Sequence, residues 1–593
     1  TMEINNLTWK MGGEAGYGIM SAGLIFSKTC SRGGLYVVDT NEYPSLIRGG
    51  HNTHQVRVSN KEIYSLEKKV NLLVALNRET IDMHKEELIS GGGIIYDGEK
   101  INIESKVREK DDINLYSVPL DRLVKEAGGI EIMKNNVALG ASVALLDYDF
   151  EILAGVIRDT FKRKGEKIIQ KNIASAKSGY DYVIDQNYNF GYKLEKITAS
   201  VGSPPSRSVS DYEYRMVITG SEAISMGAIK AGCKFYAAYP MTPASPILHF
   251  MAANERRFNL VVKHSEDEIS AIIMAIGAAF AGVRAMTATS GGGFSLMVEG
   301  LGLAAMTETP LVVVEGQRPG PSTGMPTWTE QGDLKFLLNA SQGDFPRVLI
   351  APGDVEECFY ETINAFNIAE KYQMPVIILI DKYLSESHIT AEFFDVSGIK
   401  IDRGKLLSDE ELEKLEKFNR YEITEDGISP RTIPSQKGGI SKVNSDEHDE
   451  FGFSSDDPEI RIKMMDKRFR KLGALNNASL KEPKLYGKED AEITIIGWGS
   501  TKGPILEAMK LLENDGIETN FLHLVYINPF PTNKVSKIIE KAKKTFIVEN
   551  NKTAQMASLI RQHTGIEINN KILKYNGRPF FPNEIYDGIK GVY

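Results

Sequence analysis

Between Arg215 and about Ser387, short and nearly uninterrupted apolar runs alternate with helical stretches. KFYAAYP, AMTATS, PLVVVEG, RVLIAP and PVIILID read as strands, and EAISMGAIKAG and EDEISAIIMAIGAAFAG as helices among them. A strand that is apolar at successive positions has no face left for water, so these strands belong to a parallel sheet covered by helices on both sides. Residues 6–190 repeat the alternation with LTWKMGG, LYVVDTNEYP, VNLLVALN and GGGIIYD, and predict a mostly parallel sheet. A third array starts at Ala491 with AEITIIGWGS. The chain therefore reads as three open, doubly wound α/β domains, 1–197, 215–395 and 486–593. A Ser/Pro-rich linker covers 198–214, and an extended polar connector covers 396–485.

Composition excludes several function classes. The chain has 70 Lys+Arg against 79 Asp+Glu and no basic block, so nothing marks a nucleic-acid partner. No run of 18 or more apolar residues predicts a membrane span. The segment around Met2, taken as the natural start, lacks the charged and apolar regions of a signal peptide, and a soluble cytoplasmic protein is expected. Cys30, Cys233 and Cys358 are too scattered to build a metal or iron–sulfur cradle, so no metal site is expected in this chain.

Glycines 12, 13, 16 and 18 follow a strand and precede a helix, where backbone N–H groups approach a phosphate; a plain tight turn is the alternative. Their spacing is not the dinucleotide fingerprint, which argues against a two-domain NAD dehydrogenase. Four further motifs fall at strand ends or helix starts of the central domain. These are Tyr239-Pro240-Met241-Thr242-Pro243, His264-Ser265-Glu266-Asp267-Glu268, Thr289-Ser290-Gly291-Gly292-Gly293-Phe294 and Gln317-Arg318-Pro319-Gly320. In a parallel sheet such ends converge on one rim, the usual ligand crevice. Acids in a first helical turn also serve the macrodipole, and a strand-end arginine is otherwise a solvated charge.

YPMTPAS, HSEDEISA, TATSGGGFSLM, QRPGPSTGMPTWTEQGDL, DGISPR and SDEHDEFG resemble the alpha subunits of 2-oxoacid:ferredoxin oxidoreductases. GGEAGYGI, EYPSLIRGGHNTHQVRVS and NNVALGA resemble the gamma part of the same enzymes, so the order matches their fused gamma–alpha large subunit. The resemblance implies a gamma-type domain, a thiamine-diphosphate pyrimidine-binding domain and a transketolase C-terminal-like domain. It implies CoA-dependent oxidative decarboxylation of a 2-oxoacid, 2-oxoglutarate or pyruvate, with reduction of ferredoxin; a catalytically inactive scaffold is the alternative.

By the same resemblance Glu266 is the glutamate that hydrogen-bonds the aminopyrimidine ring, with Glu268 its nearest competitor. Tyr239, Pro240, Gly291, Gly293 and Phe294 line the cofactor, and Thr242 and Arg318 hold the substrate carboxylate. Gly13, Gly16 and Arg48 are candidates for coenzyme A. Met241, Gly292 and Ser221 depart from the usual Ile, Pro and Asn of the family's motifs. No Gly-Asp-Gly motif is present, so the diphosphate site, Mg2+ and a [4Fe-4S] cluster are expected on a beta subunit, in an αβ or (αβ)2 assembly. The connector is expected to wrap on that partner.

Overall fold

The computed structural model describes residues 2–46, 49–103, 112–197, 215–478 and 480–592; the linker 198–214 and Arg48 lie outside the described residues. The chain divides into two compact units. One comprises Thr1–Ile218, Ser387–Phe393 and Phe581–Asn583; the other comprises Thr219–Glu386, Phe394–Phe580 and Glu584–Tyr593.

The first unit is built on an eight-stranded sheet. Asn6–Glu14, Val70–Ala75, Leu88–Tyr96 and Asn114–Ser117 lie side by side and parallel. Beyond Asn6–Glu14 come His51–Ser59, Tyr36–Glu42, Ile389–Ala391 and Met216–Ile218, each antiparallel to its neighbour. The sheet is thus mixed, where a mostly parallel one was expected. Tyr36–Glu42 and His51–Ser59 are consecutive strands joined as a hairpin, with Val38 opposite Arg57 and Glu42 opposite Thr53, and such strands run antiparallel. Met216–Ile218 and Ile389–Ala391, placed by sequence in the central domain, complete this sheet. Trp9 stacks on Phe26 at 4.5 Å in the core. Helices Lys134–Leu145 and Glu166–Gln186 pass so closely that a Cβ on Gly140 would meet the Ala176 carbonyl, which gives the glycine of NNVALGA a packing role.

The second unit holds a seven-stranded sheet in the order Val261–His264, Phe235–Ala238, Ala285–Thr289, Leu311–Gln317, Pro375–Asp381, Val348–Ile350 and Tyr526–Asn528. All pairings are parallel except the last. Leu311–Gln317 and Pro375–Asp381 are buried along their whole length, as their apolar runs require. A separate five-stranded sheet lies between Lys484 and Leu573.

The polar connector is not free chain. Its last part forms helix Pro458–Ala478, and Tyr421, Met464, Lys467 and Lys471 are buried against the second unit. Polarity misleads here because the charges point inward: Lys467 Nζ lies 2.5 Å from a carboxylate oxygen of buried Glu308, and Lys471 pairs with the other oxygen.

Candidate active site

The four central motifs sit at the carboxyl ends of four adjacent strands. Tyr239–Pro243 follows Phe235–Ala238, Ser265–Glu268 follows Val261–His264, Ser290–Phe294 follows Ala285–Thr289, and Arg318 follows Leu311–Gln317. The chain passes from Phe235–Ala238 outward to Val261–His264, then back to the other side at Ala285–Thr289. This reversal opens a crevice where strand order switches.

Three successive acids have three fates. Glu266 is exposed in the loop. Asp267 caps helix Glu268–Phe280, accepting the Ser270 N–H at 2.8 Å. Glu268 is 3% exposed, on the same helical face as Ala271, Ile272, Ala275 and Ile276, and its Oε1 has no hydrogen-bond partner in the protein. Burial raises its pKa, with Asp267 adding to the effect and its own backbone N–H opposing it. A Cβ on Gly293 would come within 2.5 Å of that Glu268 oxygen, so glycine keeps the space before the carboxylate clear. A buried carboxylate with one oxygen unpartnered beside an open backbone suits a planar, ring-nitrogen ligand such as an aminopyrimidine. The helical period is the signal that separates the two glutamates, since position 268 falls in the buried stripe and 266 precedes the helix.

Thr242 and Arg318 are brought together: Arg318 Nη1 donates to the Thr242 carbonyl at 2.9 Å. Both side chains are partly exposed at the rim. Tyr239 is 40% exposed, its ring 6.2 Å from that of His264, and Pro240 is half-buried. Phe294 is buried, edge-on to Phe336 at 5.6 Å, and serves packing. Ser221, in place of the usual Asn, is buried and shares a 2.6 Å hydrogen bond with Ser385.

Beneath Arg318 lies an acid pair that the motifs did not reveal. Glu315 is fully buried in its strand, and neither of its oxygens meets an N–H or O–H donor. Asp333 stands against it, with its backbone N–H on Gln317 Oε1 at 3.1 Å, and would press on any side chain at Gly291. Burial pushes the Glu315 pKa well above the carboxylate range, Asp333 pushes it further, and Arg318 opposes. Burial raises the Asp333 pKa as well, so the two acids form a buried pair that favours holding a proton, with the larger push on Glu315. A lone Glu inside the apolar run PLVVVEG was the available sign.

In the first unit Gly13 is the last residue but one of strand Asn6–Glu14, and Gly18, left-handed at φ 71°, caps helix Ile19–Arg32 without a side-chain hydrogen bond. Gly16 has open space around its Cβ position. Asn135 Nδ2 ties down the loop through the Tyr17 and Gly18 carbonyls at 3.1 and 3.3 Å. Beside it runs a chain from Lys10 to Glu87 (2.6 Å), Glu87 to His84 (2.8 Å) and His84 to His51 (2.9 Å). Burial, then His84, lowers the His51 pKa to about 4. Sequence reading passed over this chain because its members come from three separate segments.

Family models place the chain. Residues 226–467 match the model described as pyruvate flavodoxin/ferredoxin oxidoreductase, thiamine diphosphate-binding. Residues 8–182 match pyruvate ferredoxin/flavodoxin oxidoreductase, and 491–585 match core domain II of pyruvate:ferredoxin oxidoreductase. The 2-oxoacid:ferredoxin oxidoreductase subunit alpha of Saccharolobus solfataricus is 34% identical over 99% of this chain and 98% of its own. The chain belongs to the alpha subunits of the 2-oxoacid:ferredoxin oxidoreductases. Another relative of this alpha subunit, the 2-oxoglutarate oxidoreductase subunit KorA of Mycobacterium tuberculosis, is 29% identical over 98% of the chain and 91% of its own. Among solved structures, a 2-oxoglutarate:ferredoxin oxidoreductase from Magnetococcus marinus, with 2-oxoglutarate, coenzyme A and succinyl-CoA bound, superposes with a TM-score of 0.88. It is 31% identical, covering 99% of both chains. The α/β architecture of this alpha subunit, with a thiamine-binding-like part and a C-terminal part, agrees with that of the family.

Proposed function

We propose that this chain is the catalytic large subunit of a CoA-dependent enzyme that decarboxylates a 2-oxoacid oxidatively, giving acyl-CoA, CO2 and reduced ferredoxin. The observation that carries the reading is Glu268, buried with its Oε1 unpartnered, at a rim shared with Thr242 and Arg318. Thiamine diphosphate, when bound, supplies the electron sink for decarboxylation. In this reading Glu268, rather than Glu266, hydrogen-bonds the ring nitrogen of the aminopyrimidine, because its burial and raised pKa favour the protonated form that a ring nitrogen accepts from. Gly291 and Gly293 leave room for the ring, with Tyr239 and Pro240 at its edge. Thr242 and Arg318 orient the substrate carboxylate, Arg318 as the cation that fixes an anion before it leaves as CO2.

The domain names follow the same reading: gamma-type at the N-terminus, pyrimidine-binding in the centre, transketolase C-terminal-like at the end. Gly13 and Gly16 are proposed to approach coenzyme A; Arg48, the third candidate, lies outside the described residues. The diphosphate site, Mg2+ and [4Fe-4S] cluster are assigned to a beta subunit. Its proposed seat is the apolar face made by Ile269, Ile273, Met274 and Leu296, all at least 39% exposed and next to Glu268 and Gly293. The 2-oxoglutarate named for the Magnetococcus marinus structure makes that acid the first substrate to try.

The test is 2-oxoacid- and CoA-dependent reduction of ferredoxin by the chain co-purified with its partner. Glu268→Gln is expected to lower kcat by about 10²–10⁴-fold, the usual range for a general acid–base group, and Glu266→Gln by less than about two-fold. The reverse order would return the role to Glu266. Full activity in both variants would remove it from either.

A further inference from the structure

DGISPR, residues 426–431, has no part in the rim site. It borders a cavity of about 280 Å³ in the second unit, lined by Phe280, Thr309, Arg420, Arg431, Ser435 and Ser441 among others. Phe280 ends the helix that Glu268 begins, so the cavity and the rim lie at opposite ends of one 13-residue helix.

Charge around this cavity is out of balance. Arg431 places Nη2 2.7 Å from Glu370, but Glu370 also takes Arg284 at 2.7 Å and Arg403 at 2.8 Å. One carboxylate is shared by three guanidinium groups. Arg431 Nε is buried and has no hydrogen-bond partner. Arg420, 5% exposed, donates only to neutral acceptors, the Gln373 Oε1 at 2.9 Å and the Glu308 carbonyl at 2.8 Å among them. The nearby Glu308 carboxylate is already held by Lys467 and Lys471. Among the described residues, Arg284, Arg403, Arg420, Arg431, Lys467 and Lys471 thus lie around the buried carboxylates Glu370 and Glu308, with Asp402 a further acid acting on Arg284.

Excess buried charge is relieved by loss of a proton or by a counter-ion. A lysine can lose its proton; a guanidinium does not under any physiological condition. Two arginines on the wall of an accessible cavity, one with an unused N–H, are therefore a place for an anion, and the fork of donors suits an oxyanion. Ser435 and Ser441 line the same cavity and add hydroxyl-bearing side chains to it, while the Thr309 hydroxyl is shared with Thr307 at 2.9 Å. At about 280 Å³ the space is at the lower limit for a metabolite-sized pocket. We propose that this cavity is an oxyanion site that takes a small phosphate- or carboxylate-bearing molecule between Arg420 and Arg431.

The test titrates pyrophosphate and citrate into the purified complex by calorimetry, at constant ionic strength, with chloride as the control. Saturable binding of either, one per chain, is expected. Tighter binding of pyrophosphate assigns a phosphate-bearing ligand, and tighter binding of citrate a carboxylate-bearing one. Arg431→Gln is expected to weaken binding at least ten-fold. Because that change also strips a cation from Glu370, Ser441→Trp serves as the second variant: it fills the cavity and leaves every ion pair in place, and is expected to abolish binding while 2-oxoacid-dependent activity persists. No saturable binding of either probe with Kd below about 10 mM overturns the proposal, as does binding that Ser441→Trp leaves unchanged.

Discussion

At the carboxyl ends of the central parallel strands, Glu268 and Glu315 are buried without a bonded cation, and both have raised pKa values. On the amino side of the same sheet, Glu308 and Glu370 are buried among cations that outnumber them. One end keeps carboxylates without counter-charge, ready to carry a proton; the other keeps cations without enough counter-charge, ready for an anion. Low dielectric makes both conditions costly, so each end needs either a ligand or a proton to settle it. The Glu308 network additionally fastens the connector, since Lys467 and Lys471 come from its helix.

The comparison is broken most directly at Glu308. Removing its carboxyl as Glu308→Leu leaves Lys467 and Lys471 buried without their counter-charge, and a cost of about 3–5 kcal/mol is expected. It is read as a lower urea midpoint for the second unit, and as protease cleavage within 396–485. The pH dependence has a definite sign. Lys467, Lys471 and Arg420 hold the Glu308 pKa far below its ordinary value, against the burial that would raise it. Its stabilisation is therefore fully present above the unfolded carboxylate pKa of about 4.3, and lost as pH falls through the folded value. A wild-type acid transition that survives unchanged in Glu308→Leu would show that the network contributes nothing to it.

Glu315 is expected to show the opposite slope. Its folded pKa lies above the unfolded one, so the folded state binds more protons in between, and stability falls as pH rises from about 4 upward. Glu315→Gln keeps the shape and offers Asp333 an N–H in place of the carboxylic O–H. The variant is expected to be more stable than wild type at pH 8 by about 1.4 kcal/mol for each pH unit by which the folded pKa of Glu315 exceeds the unfolded one, with little difference at pH 4. Thermal unfolding at the two pH values separates this from a simple packing change, which would shift both equally.

The same contrast explains what could be read from sequence. Strands such as PVIILID were legible because continuous apolar runs have one structural solution, and the convergence of four motifs followed from parallel order. The hairpin around EYPSLIRGG was missed because antiparallel pairing depends on how two strands meet, which no single run displays. The connector looked solvated because composition records charge and not direction: Lys467 and Lys471 lie inside. At the rim, the family resemblance favoured Glu266, the residue directly after the Ser, whereas burial, set by helical phase, favours Glu268.

Arg318 gives the finest test, since it is the rim's cation closest to the acid pair. Burial lowers its pKa, and the nearby acids, Asp333 foremost, oppose that shift. One N–H is already engaged by the Thr242 carbonyl, leaving the rest of the fork for a carboxylate. Arg318→Lys preserves the charge but has a single ammonium to divide between the turn and the substrate. The 2-oxoacid KM is expected to rise about ten-fold, near 1.4 kcal/mol, with a smaller change in kcat. If Glu315→Gln in the same background restores neither KM nor its pH profile, the acid pair acts on stability alone. Partial restoration would show that the proton on Glu315 helps to set the charge Arg318 presents.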